Sequence, residues 1–228
     1  MAFTPGESTP APVGIVVDVL RATSTICQAL ASGYRRVLCC AEVDEARALA
    51  ESEGSAKLAG ERRLEPLEGF DLGNSPREYL EPLGETLVLT TTNGTRAIVT
   101  AAARCDRVFV GSLLNVSAVV DATREAGDDV VVVCAGVLGA LALDDAFVAG
   151  RIAAALDCER TDAAEAAARA ATTWSGAEEA LRASKSGRNL VHHAPQLAED
   201  IPFCARESVL DVAPRFVGMH GVAAEITS

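Results

Sequence analysis

Four hydroxyls, one carboxamide and a glycine fall within six consecutive residues, Thr90-Thr91-Thr92-Asn93-Gly94-Thr95. The strand-like Thr86-Leu87-Val88-Leu89 precedes them, and the helix-like Arg96-Ala97-Ile98-Val99 follows. A strand-to-helix turn of this composition suits an anion, because free N–H groups and the helix dipole point out of the helix start. Gly94 would let backbone N–H groups approach the ligand closely. The alternative is a polar loop in which a threonine or Asn93 caps the helix. A second turn has the same build. Gly14-Ile15-Val16-Val17-Asp18-Val19-Leu20 reads as a buried strand, followed by Arg21-Ala22-Thr23-Ser24-Thr25 and an apolar-periodic helix.

Carboxylates stand beside these turns. Asp18 either caps the helix after it or ligates a metal, since Mg²⁺ takes one or two carboxylates together with water and substrate oxygens. Glu61 is a second metal candidate, its alternative being a solvated turn carboxylate. Asp144-Asp145 opens a helix; one of the pair is expected as its N-cap, which makes Asp145 available as a ligand. Arg21 and Arg62 each follow a strand next to such a carboxylate. A guanidinium grips phosphate or sulfonate oxygens through two parallel N–H bonds, unless it is spent on a surface salt bridge. Asn74, in the turn-rich run Gly69-Phe70-Asp71-Leu72-Gly73-Asn74-Ser75-Pro76, is placed to reach the same region, although turn formation also accounts for that run.

The elements that position these residues alternate. Strands are expected at 14–19, 36–40, 56–60, 86–90, 107–111 and 129–134, after an irregular lead-in over 1–13. Helices are expected at 23–32, 43–53, 95–104, 115–126 and 144–156, with a helical stretch from 162 to 184 broken at Ser175-Gly176. Residues 201–204 and 210–212 read as edge strands. This pattern gives an α/β fold, three-layer α/β/α around a largely parallel or mixed sheet. It forms a single domain over 1–228, with a helical C-terminal part. Two segments, about 14–60 and 86–135, read as pseudo-repeated halves from an internal duplication, because Thr23 leads through a helix to Arg36-Val37-Leu38 and Thr95 leads likewise to Arg107-Val108-Phe109. In a parallel sheet the strand ends share one rim. Asp18 and Arg21, Glu61 and Arg62, Thr92 to Thr95, Ser112 and Asn115, and Cys134-Ala135-Gly136 would then meet in one crevice.

Composition narrows the function. The 228 residues are 49% hydrophobic, enough for one substantial core. No stretch approaches 18 uninterrupted apolar residues and no basic start precedes an apolar run, so neither membrane insertion nor export is expected. A net charge of −12 argues against nucleic acid as a partner. Seven cysteines, an odd number without Cys-x-x-Cys, read as buried thiols in a reducing cytoplasm. The phosphate-loop, dinucleotide and serine-hydrolase signatures are absent, and no arginine closes a loop six residues after a cysteine. Cys134 therefore reads as a buried thiol rather than a nucleophile. His192, His193 and His220 show no zinc spacing and read as solvated or capping groups.

Taken together, Asp18-Val19-Leu20-Arg21-Ala22-Thr23-Ser24-Thr25, Gly60-Glu61-Arg62, Gly69-Phe70-Asp71-Leu72-Gly73-Asn74-Ser75-Pro76, the residues 89–95, Cys134-Ala135-Gly136 and the acidic pair before Ala149-Gly150 resemble the 2-phosphosulfolactate phosphatase family. The resemblance implies Mg²⁺-dependent hydrolysis of 2-phospho-3-sulfolactate to 3-sulfolactate and phosphate, a step toward coenzyme M. On this reading Asp18, Arg21, Asn93 and Asp145 carry the catalysis, and Asp18, Glu61 and Asp145 hold the metal. Thr23, Ser24, Arg62, Asn74, Thr92, Gly94, Thr95 and Asn115 bind a small anionic organophosphate. The expected protein is cytoplasmic, and homo-oligomerisation is left open. The rival readings are a phosphatase for another phosphorylated hydroxy acid and a non-catalytic anion-binding protein.

Overall fold

Val/Ile/Leu runs buried on both faces form the strands of one mixed sheet in the computed structural model, which describes residues 1–127 and 129–228. The first strand, β1 (Ala11–Val17), shows why the run is apolar throughout: Val16 enters one core, and Ile15 and Val17 enter the core on the opposite face. It begins within the supposed lead-in, whose Ala2 also bridges to Val133 at the sheet edge. Next come α1 (Ala22–Ser32), β2 (Arg36–Cys40), α2 (Val43–Glu53), β3 (Lys57–Arg62), the two-residue β4 (Glu65–Pro66), β5 (Thr86–Thr90) and α3 (Gly94–Ala102). The chain continues through β6 (Cys105–Gly111), α4 (Val116–Ala126), β7 (Val130–Cys134) and α5 (Leu143–Ala155). The C-terminal part holds α6 (Asp162–Ala170), α7 (Ala177–Ala183), α8 (Lys185–His193), α9 (Asp200–Cys204) and a hairpin of β8 (Arg215–His220) and β9 (Ala223–Thr227).

The strand order is β4-β3-β5-β2-β9-β8-β6-β1-β7. Strands β3, β5 and β2 form one parallel group, and β6, β1 and β7 form another. The antiparallel hairpin β8–β9 joins them through the middle of the sheet. Helices α1 and α3 pack on one face, over a core built from Val16, Val37, Leu87, Leu89 and Val110. The opposite face is covered by α2 over Leu38, Cys40 and Val88, and by α4, α5 and the C-terminal helices over Val13, Ile15 and Val17. The fold is therefore three-layer α/β/α.

Two differences from the sequence reading have plain causes. Residues 201–204 are helical, not an edge strand, and the turn they make carries Asp200 into the interior. Residues 210–212 form no strand, although their backbone is tied down: Leu210 N–H donates to the Leu114 carbonyl and Asn115 Nδ2 to that of Val212. The hairpin at 215–227 has weaker alternation than the other strands, since Val217 and Met219 point outward half-exposed. Because that hairpin intervenes with three antiparallel pairings, the two parallel groups run in opposite senses. The single rim expected of a parallel sheet is instead two rims, which meet where the start of α3 at Gly94 lies against Ala22 and Asp18 at the start of α1.

Candidate active site

The two rims meet at a cavity of about 270 Å³. The turn after β1 supplies Asp18, Leu20 and Arg21; the end of β3 supplies Glu61, Arg63 and Leu64. Thr92 and Asn93 come from the turn after β5, and Gly136, Val137 and Leu138 from the loop after β7. Asp144 and Asp145 enter from the start of α5, Asn74 from the loop before β5, and Ser186, Asn189 and His193 from α8. Turns far apart in sequence thus do converge, with one exception. The end of β6 stays away, because Asn115 is fully used there: its Oδ1 accepts from the Ser112 N–H and hydroxyl, and its Nδ2 donates to Val110 and Val212 carbonyls.

The floor is acidic and buried. Burial lifts the Asp18 carboxyl to a pKa of about 7, with the charges of Asp144 and Glu61 adding to the rise; an Ala22 N–H donates to it and Arg21 lies near, both opposing the rise. Burial raises Asp144 to about 6 despite the donated hydrogen bond from Ser186. Asp145 is pushed well above the usual carboxylate range by burial, then by Asp144 and Asp18. These acids do different work. Asp145 Oδ1 accepts from Val19 N–H at 3.0 Å and Oδ2 from Gly136 N–H at 3.0 Å, so it ties the β1 and β7 turns together. Glu61 is likewise engaged through both oxygens, by Thr92 N–H at 2.8 Å, the Thr92 hydroxyl at 3.1 Å and Leu64 N–H at 2.9 Å. Asp18 and Asp144 complete the acidic lining, Asp144 accepting from the Ser186 and Ser184 hydroxyls and from the N–H groups at the start of α5. The neighbouring Asn74 Oδ1 is buried and has no hydrogen-bond partner.

Several residues of the two threonine-rich turns serve the turns themselves. Thr23 Oγ1 accepts from Asp18 N–H, and Ser24 donates to the Val19 carbonyl. Thr91 and Thr95 exchange hydrogen bonds between side chains and backbone N–H groups. None of Thr23, Ser24 and Thr95 lines the cavity. Nor does Gly94: a methyl group there would meet the Ala22 side chain and lie 2.5 Å from Asp18 Oδ2. Its bareness permits helix and carboxylate to pack closely. Asn93, the N-cap residue of α3, makes no capping bond through its side chain and does face the cavity.

The arginines divide similarly. Arg21 lines the cavity but is buried and paired with Asp200 at 2.7 Å, a carboxylate that also accepts from Ser75 at 2.6 Å. Arg62 points elsewhere, donating to the carbonyls of Glu61 and Ala41 and to Thr90 Oγ1, and it is Arg63 that borders the cavity. Sequence reasoning did not single out Arg63 or Asp144, which line the cavity beside the expected Asp145. It also passed over α8, where Ser186, Asn189 and His193 recur at helical spacing along one face. Cys134 lies beneath the acids, its thiol pushed well above the normal range by burial first and by Asp145 and Asp144 next.

No group of three or more His, Cys, Asp or Glu side chains among the described residues is arranged to hold a metal. The expected ligands Asp18, Glu61 and Asp145 all line the cavity, Glu61 and Asp145 also accepting backbone N–H groups. Magnesium asks for less than three: one or two carboxylates, with the remaining octahedral positions filled by water and substrate oxygens. Asp18 and Asp144 repel each other in a low-dielectric cavity beside an orphaned amide oxygen, and this hard-oxygen donor set fits such an ion.

Fold and cavity together define an α/β protein with an acidic cavity of small-molecule size. The chain belongs to the 2-phosphosulpholactate phosphatase family, whose model matches residues 2–218. It is thereby a phosphoric monoester hydrolase. A 2-phosphosulfolactate phosphatase of Methanothermobacter thermautotrophicus is 39% identical over 200 residues, 88% of this chain and 84% of that one. A probable 2-phosphosulfolactate phosphatase of Clostridium acetobutylicum is 36% identical over 213 residues, 89% and 88% of the two chains. Another from Caldanaerobacter subterraneus reaches 45% over 142 residues, a match spanning 60% of this chain and 58% of the relative. Among the described residues no helix is long and apolar enough to cross a membrane.

Proposed function

We propose that this protein hydrolyses 2-phospho-3-sulfolactate to 3-sulfolactate and inorganic phosphate with a bound Mg²⁺, a reaction of the coenzyme M biosynthetic type, in the cytoplasm. The observation that carries the reading is the pooling of Asp18, Asp144 and Asp145 in one buried cavity that also holds the unpartnered Asn74 Oδ1. Acids so placed raise one another's pKa values, a cost relieved by a divalent cation. Asp18 and Asp144 would hold the ion, which when bound supplies charge neutralisation at the phosphoryl oxygens.

The remaining work falls to the chain itself. Phosphate monoester hydrolysis needs on the order of 20 kcal/mol of barrier reduction, most of it from positioning and electrostatics. Asp145 fixes the β1 and β7 turns in register, so that Asp18 and Asp144 stay within reach of each other. Arg21, held by Asp200, which in turn accepts from Ser75, presents a guanidinium in fixed position at the cavity wall. The side chains of Asn93 and Asn74 offer amide contacts to substrate oxygens. Leu20, Leu64, Val137 and Leu138 form an apolar lip that limits the access of bulk water. Free thiols at all seven cysteines accord with a reducing compartment.

The test is phosphate release from 2-phospho-3-sulfolactate, 2-phospholactate and 3-phosphoglycerate, each with Mg²⁺ and with a chelator. Preferred, chelator-sensitive turnover of the sulfonate is expected. Preference for either carboxylate analogue would move the substrate to another phosphorylated hydroxy acid, and turnover of none would overturn the reading.

A further inference from the structure

Arg63 and Leu64 both adopt left-handed backbone, at φ 54° and 70°, one directly after the other and neither a glycine. Such a pair costs about 1–2 kcal/mol per residue unless the surroundings impose it. Here they do. The Arg63 N–H donates to Thr92 Oγ1 at 3.3 Å, and the Leu64 N–H donates to Glu61 Oε2 at 2.9 Å. Glu61 in turn grips Thr92, so the end of β3 is bound to the turn after β5. The conformation turns residue 63 onto the cavity wall, while Arg62 beside it is spent on carbonyls and Thr90.

Among the described residues the Arg63 guanidinium makes no hydrogen bond and no ion pair, in contrast to Arg21, the other arginine on the cavity, which is committed to Asp200. The floor opposite carries Asp18, Glu61, Asp144 and Asp145. A substrate with one phosphate and further acidic groups meets net repulsion there unless each anionic arm finds a cation. A divalent ion on Asp18 and Asp144 answers the phosphate only. We propose that Arg63 is the specificity-determining residue of this site, taking the acidic group of the substrate remote from the phosphate, a sulfonate or carboxylate, through its paired N–H donors. The inference rests on the phosphatase reading for its substrate, but its chemistry is the recognition of an organic acid. Strain in the 63–64 turn is then part of the recognition device, since relaxed backbone would swing the guanidinium away.

The experiment compares Arg63→Gln and Arg63→Lys with the unaltered enzyme on 2-phospho-3-sulfolactate, 2-phospholactate and 4-nitrophenyl phosphate, and measures 3-sulfolactate binding by calorimetry. For Arg63→Gln, kcat/KM on phosphosulfolactate relative to nitrophenyl phosphate should fall at least thirtyfold, mostly through KM. The lysine variant should recover part of that loss. An equal fall relative to phospholactate assigns Arg63 to the sulfonate, and no change in that ratio assigns it to the carboxylate. An unchanged ratio to nitrophenyl phosphate, or undiminished sulfolactate binding by Arg63→Gln, overturns the proposal. Failure of the unaltered enzyme to cleave any phosphoester sinks the phosphatase reading instead. Arg63-dependent binding of sulfolactate would still uphold the recognition role.

Discussion

Replacing Asp18 by Asn should stabilise the metal-free protein while removing its activity. Burial and the neighbouring Asp144 and Glu61 lift the Asp18 pKa from 3.8 to about 7. A carboxyl whose folded pKa is raised favours folding fully below its unfolded value and loses that contribution as pH rises through the folded one. At pH 8 the ionised Asp18 therefore opposes folding by at most about 4 kcal/mol, from 1.36 kcal/mol per pH unit over that interval. Asparagine removes the charge and keeps an oxygen for the Ala22 N–H. Allowing for relaxation of the neighbours, a net gain of about 2 kcal/mol is expected, or a Tm higher by about 4–8 °C for a domain of this size. The gap should shrink at pH 5, where the native carboxyl is already protonated. Mg²⁺ should raise the Tm of the unaltered protein at pH 8 and that of Asp18→Asn much less. Calorimetry at pH 5 and pH 8, with Mg²⁺ and with chelator, reads all of this. A variant less stable than the parent at pH 8 without metal, or equally stabilised by Mg²⁺, would refute the reasoning.

Gly94→Ala places a methyl group against Ala22 and Asp18 Oδ2, so it should cost about 1–3 kcal/mol of stability in denaturant unfolding and depress kcat together with it. Arg21→Ala leaves the fully buried Asp200 with only the Ser75 hydroxyl and the more distant Arg77 at 3.9 Å and should cost about 3 kcal/mol; adding Asp200→Ala should recover part of that in the same unfolding assay. Cys134→Ser should keep turnover within about tenfold, roughly 1.4 kcal/mol of barrier, because the buried thiol is protonated and is no nucleophile; a thousandfold loss in a folded variant would reverse that assignment.

The strands of Val, Ile and Leu were legible because burial on both faces leaves no polar position to confuse the pattern, as in Ile15-Val16-Val17. The C-terminal hairpin was not, since Val217 and Met219 stand outward and blur the alternation. Likewise the helix from Asp200 to Cys204 contains Pro202 and is too short to show a period. Within the site, Asp18, Glu61, Asn74, Thr92 and Asn93 could be located because each ends a strand or sits in a polar turn. Which way neighbouring side chains point was hidden for a different reason. Arg62 against Arg63 turns on two positive φ angles imposed by Glu61 and Thr92, and Asp144 against Asp145 on which side chain the Val19 and Gly136 N–H groups claim. These hydrogen bonds join residues as far apart as Val19 and Asp145, and no local pattern records which side chain takes part. The wall contributed by α8 was hidden because its polar face reads as solvated surface until packing shows what it covers.

The proposed divalent ion lies where α1 and α5 begin, at Asp18 and Asp144, in the cavity proposed to take the phosphoester. A crystal structure with Mg²⁺, 3-sulfolactate and phosphate measures this most directly. The expected result is a metal about 2.0–2.1 Å from carboxylate oxygens of Asp18 and Asp144, with the phosphate on the metal and the sulfolactate in the same cavity. Metal bound elsewhere, or product bound there with no metal at saturating Mg²⁺, would contradict it.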